Sequence, residues 1–358
     1  MSIKVGILSS GAWGTAMGKQ IAQKGIDVQM WDFMEDVVND INKNHKNSRY
    51  LANITLPKKM TASTDIEKVV QGKDFIIIAT PSLYLIDTVK KIEKTKDIQN
   101  GEPVIGIITK GFFPSSSGPR LIVSTLEDIL PDSYKDSLVY ISGPSHAEEV
   151  ATNKLTGLIS ACINAKNSIK FRELLSSKSL FVFSSIDVVG VQTCAATKNV
   201  IAIAFGMLDA IKEKSEIFGD NTESLLLAAG LNEIQKIGHA LGATHPETFT
   251  SISGVGDLDV TCRSIHGRNR RFGHDIINKN IIDQFSSIED LIKNIDKLGY
   301  LPEGVVAAKY LNQIKDSHKL KLPISSAVYK ILNKEKSPQS ALAALIGSPA
   351  DMIREELI

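Results

Sequence analysis

Over roughly the first 160 residues, short continuous apolar runs alternate with longer amphipathic segments, and no other feature constrains the fold so tightly. Lys4–Leu8, Val28–Trp31, Phe75–Ala79, Val104–Ile108 and Leu138–Ser142 are rich in Val and Ile and read as strands. Thr15–Lys24 and Leu83–Ile92 between them carry helical spacing. A wholly apolar strand such as Phe75-Ile76-Ile77-Ile78-Ala79 must be covered on both faces. Helices on both sides of a mostly parallel sheet provide that cover, and right-handed βαβ crossovers then give a doubly wound α/β fold.

The pattern changes after Ser185. Asp187–Lys212 is a long apolar stretch without Pro, Thr222–Leu241 reads as another helix, and clear strand signals stop. Asp187 is suited to cap the first of these helices, because its carboxylate can accept the unpaired N–H groups of an opening turn. The expected organisation is therefore an α/β domain over 1–186 followed by an all-helical domain over 187–358. A length of 358 residues supports two such cores. Ser115-Ser116-Ser117-Gly118 reads as a short turn.

Composition narrows the partners. Lys+Arg number 41 against 40 Asp+Glu, so no basic excess points to nucleic acid. Cys162, Cys194 and Cys262 are sparse and form no C-x-x-C pair, which argues against a disulfide framework or a zinc site and fits a reducing compartment. An apolar strand beginning at Ile3 leaves no signal peptide, and no apolar run is expected to reach the ~20 residues that span a bilayer. The expectation is a cytoplasmic protein with no metal, no nucleic acid and no integral membrane segment.

Leu8-Ser9-Ser10-Gly11-Ala12-Trp13-Gly14-Thr15-Ala16 joins the first strand to the first helix and follows the dinucleotide fingerprint G-x-G-x-x-G, with Ser9 at the first glycine position. Gly11 would let the backbone approach a pyrophosphate and Gly14 would let helix and strand pack closely. The helix N-terminus offers free N–H groups to the phosphates. Asp32 ends the second strand, 18 residues beyond Gly14, where an acid bonds an adenosine ribose and disfavours a 2′-phosphate; NAD is mildly favoured over NADP. A Cβ at Ser9 is expected to strain the tightest part of the turn.

Thr109-Lys110-Gly111 and Ser142-Gly143-Pro144-Ser145 follow two later strands, where open α/β sheets bind ligands. The helical half adds Thr197-Lys198-Asn199-Val200, Gly254-Val255-Gly256-Asp257-Leu258, Thr261-Cys262, Gly267-Arg268-Asn269-Arg270-Arg271-Phe272-Gly273 and Glu303-Gly304. In this order and spacing, together with Pro81-Ser82, His146-Ala147-Glu148-Glu149-Val150 and Leu322-Pro323-Ile324, the chain resembles NAD(P)-dependent glycerol-3-phosphate dehydrogenases over nearly its whole length.

That resemblance implies a Rossmann-type domain followed by a helical domain like the C-terminal domain of 6-phosphogluconate dehydrogenase. It implies reversible reduction of dihydroxyacetone phosphate to sn-glycerol 3-phosphate, feeding glycerophospholipid synthesis, by a homodimer. Carried over by position, Lys198 is the acid/base, with Lys110 and Asp257 beside the substrate. Gly143, Ser145, Asn199, Thr261, Gly267, Arg268 and Asn269 complete the substrate set, Arg268 and Asn269 holding the phosphate. Ser9, Ser10, Gly11, Ala12, Trp13, Gly14, Asp32, Phe33, Pro81, Lys110, Ala147, Arg268, Leu301 and Glu303 match cofactor positions. Four positions depart from the family pattern: Ser9, His146, Ala229 and Gly267, the last expected to leave a backbone N–H for phosphate. A β-hydroxyacid or ketopantoate-type dehydrogenase and a non-catalytic NAD-binding scaffold are the competing readings.

Overall fold

The computed structural model describes residues 2–116, 118–264, 267–338 and 340–341; Ser117 of the expected turn and the end of the expected helical domain lie outside them. The chain forms two compact units. The first holds the described residues up to Lys110 together with Leu121–Val191, and the second holds Gly111–Arg120 and the described residues from Gln192 onward. This grouping differs from a single cut after 186, because residues 111–120 group with the helical unit and the first residues of a long helix group with the sheet.

In the first unit eight strands form one sheet: β1 Lys4–Leu8, β2 Asp27–Trp31, β3 Met60–Ser63, β4 Phe75–Ile78, β5 Val104–Ile107, β6 Val139–Ser142, β7 Thr156–Ala161 and β8 Leu180–Ser185. Their order is β8-β7-β6-β5-β4-β1-β2-β3. β1 lies between β2 and β4, parallel to both, with Ile7 opposite Met30 on one side and Ile77 on the other. The chain thus reverses its winding at β1, so the crevice at the carboxyl ends of β1 and β4 is the expected ligand position. Within this sheet β6 and β7 pair antiparallel, Tyr140 facing Ala161. Strand β3 carries no continuous apolar run, whereas β8 opens with Leu180-Phe181-Val182-Phe183. β8 is an edge strand whose Leu180 and Val182 are buried while Phe181 and Phe183 are exposed. Val5, Ile7, Met17, Ile21, Met30, Ile77 and Phe171 belong to the buried core of this unit, and Phe75 meets Phe171 edge-on at 5.2 Å.

Helix α1, Ala12–Ala22, follows β1. It is tied to the residues after the helical turn Ala147–Ala151 and to that turn itself: Lys19 Nζ donates to the Ala151 carbonyl at 2.7 Å, and Gln20 donates to Asn153 Oδ1 at 2.8 Å.

The described helices of the second unit include most of α2 Val188–Lys212, then α3 Asp220–Ala240, α4 Asp257–Arg263, α5 Arg268–Asn278, α6 Glu303–His318 and α7 Pro323–Leu332. Asp187 does precede α2 as a cap, its Oδ1 accepting the Gly190 N–H at 3.0 Å. Contrary to the sequence expectation, α2 is long and apolar enough to cross a membrane, but most of its apolar stretch is buried inside the protein, as in a core helix. Glycines let α5 approach it: a Cβ on Gly206 would strike the Arg270 carbonyl, and one on Gly273 the Ile203 carbonyl. Cys194, Ile201, Phe205, Ile234, Phe249, Leu258 and Ile324 share the buried core here.

Candidate active site

The fingerprint turn adopts the conformation its glycines permit and its serine resists. Ser9 has φ +99°, a left-handed conformation that costs a side-chain-bearing residue about 1–3 kcal/mol. Its N–H donates to the Trp31 carbonyl at 3.1 Å, and its hydroxyl accepts the Gly11 N–H at 3.4 Å. A Cβ on Gly14 would lie 2.5 Å from the Ser9 carbonyl and 3.1 Å from the Ala79 side chain, so only glycine lets α1 sit this close to the strands. At Gly11 the nearest atom to a Cβ would be the Ser9 hydroxyl at 3.7 Å. The space beside Gly11 at the amino end of α1 is therefore open, as a pyrophosphate requires, and the residues present fit a dinucleotide.

Asp32 is buried at the end of β2, accepting from the Ser10 hydroxyl and from the Met34 N–H at 3.0 Å. Phe33 beside it is 74% exposed. Ala12 and Trp13 pack against the buried cluster that includes Ala147. Pro81 is exposed just before the turn Ser82–Tyr84. Thr109 Oγ1 donates to the Thr80 carbonyl at 2.6 Å and so joins the carboxyl ends of β4 and β5. Lys110 Nζ donates to Ser145 Oγ at 3.2 Å, bringing together two substrate candidates separated by 35 residues. Gly143 has φ +142°, and a Cβ there would lie 2.9 Å from the Gly157 carbonyl. His146 is the residue before the helical turn Ala147–Ala151, and its carbonyl accepts two N–H groups of that turn.

The second unit contains a separate set of groups. Lys198 is 5% and Asp257 0% exposed, and they form a short ion pair. Lys198 Nζ also donates to Thr261 Oγ1 at 2.8 Å, while that hydroxyl donates to the Asp257 carbonyl at 2.6 Å. Lys198 comes from the middle of α2, Asp257 from the start of α4 and Thr261 from one turn later. The π-helical turn Ile252–Gly256 delivers Asp257, and a Cβ on Gly254 would collide with the Phe249 carbonyl, so glycine is required there. The neighbouring Cys262 is fully buried, and burial pushes its thiol pKa well up, so it is no nucleophile.

Asn269 is buried near the start of α5, and its Oδ1 accepts the Gly304 N–H at 2.9 Å. That fixes the carboxamide with its NH₂ as the remaining donor end. Asn199 lies against the same place, since a Cβ on Gly304 would come 2.6 Å from the Asn199 carbonyl. Arg268 is exposed on the first turn of α5. Leu301 is half-buried, and Glu303 opens α6. The Gly267 N–H donates to the Ser264 carbonyl at 3.1 Å inside the loop. The Arg270 guanidinium pairs with Asp209 and with the Arg263 carbonyl. Arg271 stacks on Tyr300 at 4.7 Å, and burial together with Asp275 pushes the Tyr300 phenol up to about 12.

Two buried side chains with clear structural work were missed from sequence. Asn47 donates to the Ser10 carbonyl at 2.7 Å and to Thr15 Oγ1 at 2.9 Å. Glu233 of α3 accepts the N–H groups of Ile324 and Ser325 and the Ser325 hydroxyl, capping α7. No periodicity marks such residues, since each acts on backbone distant in sequence.

A winding reversal with an open glycine loop, and a helical unit holding a buried lysine, define a two-part nucleotide-dependent oxidoreductase. The N-terminal model of the NAD-dependent glycerol-3-phosphate dehydrogenases matches residues 4–168 and the C-terminal model matches 187–343. Glycerol-3-phosphate dehydrogenase [NAD(P)+] of Treponema denticola is 55% identical over 352 residues, covering 97% of this chain and 99% of that one. Its namesake in Treponema pallidum strain Nichols is 51% identical, covering 96% and 99%. The crystal structure of glycerol-3-phosphate dehydrogenase from Coxiella burnetii superposes with a TM-score of 0.82 at 28% identity, covering 96% of this chain and 99% of that one. The chain belongs to the NAD-dependent glycerol-3-phosphate dehydrogenase family, and it is an NAD(P)-binding oxidoreductase.

Proposed function

We propose that the protein reversibly reduces dihydroxyacetone phosphate to sn-glycerol 3-phosphate, with Lys198 as proton donor and acceptor. The observation that carries this reading is the buried Lys198–Asp257–Thr261 cluster, which holds an ammonium group in fixed geometry in a largely desolvated place. A nicotinamide cofactor supplies the hydride that adds to C2 of the substrate. Lys198 stabilises the negative charge that develops on the C2 oxygen and then gives it a proton, help typically worth ~10²–10⁴-fold. Asp257 and Thr261 hold the ammonium at one position, and within the first unit Lys110 donates to Ser145. Oxidation reverses the order, with neutral Lys198 removing the hydroxyl proton.

The phosphate does not react, so its role is anchorage. Arg268 offers a planar fork of donors matched to phosphate oxygens, and the NH₂ end of Asn269 adds another. Binding energy from this remote group then orients C2. Asp32 at the end of β2 supports a preference for NAD, because a carboxylate repels a 2′-phosphate. Three free, buried cysteines support a reducing, cytoplasmic setting, and family membership supports a homodimer engaged in glycerophospholipid synthesis. The test follows NADH and NADPH absorbance as dihydroxyacetone phosphate is added. Oxidation of NADH in preference to NADPH is expected; consumption of neither overturns the reading.

A further inference from the structure

We propose that Asn47 is a positioning residue for the cofactor loop, holding in place a turn that lacks its first glycine. The inference rests on the dinucleotide-binding reading of the first unit. Ser9 takes a left-handed conformation, φ +99°, where the fingerprint puts a residue without a Cβ. The next residue is then held at both of its polar ends. The Ser10 carbonyl accepts from Asn47 at 2.7 Å and from the Thr15 hydroxyl at 2.8 Å, while the Ser10 hydroxyl donates to Asp32. Asn47 also donates to that same Thr15 hydroxyl at 2.9 Å, closing a three-membered network under the turn.

Asn47 is 1% exposed and lies well outside the fingerprint, on the segment between β2 and β3. That segment is itself fastened, because Leu51 packs in the same cluster as Ala12, Trp13, Ala16 and Ala147. The Leu51 N–H donates to the Asn47 carbonyl at 2.8 Å. One carboxamide thus fixes the peptide that leads directly into Gly11 and the free N–H groups at the start of α1. It also sets the base from which Ser10 reaches Asp32. Removing it lets the strained turn relax toward ordinary φ, which rotates those N–H groups away from the pyrophosphate position. The consequence falls on cofactor affinity; the proton-transfer residues of the second unit are untouched.

A four-protein cycle tests this: wild type, Asn47→Ala, Ser9→Gly and the double variant, each titrated with NADH by calorimetry, with Asn47→Asp as an isosteric alternative should the alanine variant not fold. Asn47→Ala is expected to weaken NADH binding about tenfold, with KM for dihydroxyacetone phosphate changing far less than KM for NADH. In the Ser9→Gly background the same change is expected to cost threefold or less, because glycine adopts the turn without help. Equal losses in the two backgrounds, or an unchanged Kd in Asn47→Ala, overturn the proposal alone. A wild-type protein that binds no NADH overturns the dinucleotide reading and this proposal with it.

Discussion

Replacing Lys198 by Met keeps most of the side-chain volume and removes the ammonium. The partner left behind, Asp257, is fully buried and loses the ammonium of its ion pair. Breaking a buried ion pair on one side typically costs about 3–5 kcal/mol, a large part of the ~5–15 kcal/mol that holds a protein folded. Removing both charges, as Lys198→Met with Asp257→Leu, leaves no orphaned charge and is expected to recover most of that loss. Turnover responds differently: it falls ~10²–10⁴-fold in both variants, because the proton donor is missing from both. Urea unfolding is followed by circular dichroism and by fluorescence, and turnover by NADH absorbance. Trp13 and Trp31 both lie in the first unit, so fluorescence reports that unit while the helical signal includes the second. Two results refute the reasoning: a single variant as stable as wild type, or a turnover within tenfold of it.

Glu233→Ala removes three hydrogen bonds that cap α7, each to a charged acceptor, and is expected to cost about 3 kcal/mol or more; an unchanged denaturation midpoint would show that the cap is dispensable. Burial raises the Cys162 thiol from 9.0 to about 11, so the folded protein keeps a proton the unfolded chain loses, and stability is expected to fall as pH rises between those values. Cys162→Ala should flatten that slope in denaturation curves recorded at several pH values. Arg268→Ala is expected to raise KM for dihydroxyacetone phosphate by ten- to a hundredfold with a smaller change in turnover, because the phosphate it binds is remote from the reacting carbon; steady-state kinetics with both substrates varied would detect the opposite pattern.

What was legible in the sequence is what periodicity and local chemistry encode. The five apolar strands, the fingerprint turn and the Asp187 cap rest on residues within one element or one loop. Strand β3, with sequence Met60-Thr61-Ala62-Ser63, was not legible, because it is short and half polar and becomes a strand only by pairing with β2. Strand β8 is apolar from Leu180 through Phe183, and only the structure shows that it is an edge strand with Phe181 and Phe183 exposed. The same limit applies to the site. Lys198, Asp257 and Asn269 stood in recognisable motifs, whereas the use of the Gly267 N–H by Ser264 and of Arg270 by Asp209 depended on how a loop closes and two helices cross.

The carboxylates make that limit physical. Asp32, Asp257 and Glu233 are all buried, and each is held by different donors: a serine hydroxyl and a backbone N–H, a lysine ammonium, and the first turn of a helix. In sequence Asp32 and Asp257 are marked only by the motifs around them, and Glu233 looks like any other of the 40 acids that balance the chain's 41 basic residues. Burying a carboxylate without donors is costly, so each one must sit where the fold already offers N–H or O–H groups in a converging arrangement. Those places are the end of a strand at the winding reversal, the turn before α4, and the uncapped start of α7. Two of the three are places where substrate or cofactor chemistry is also expected, since a converging donor set that fixes a carboxylate equally fixes the groups beside it. The acid at the third accepts hydrogen bonds from the first turn of α7, so Glu233→Ala is expected to lower stability, whereas an Asp257 variant is expected to lower turnover as well.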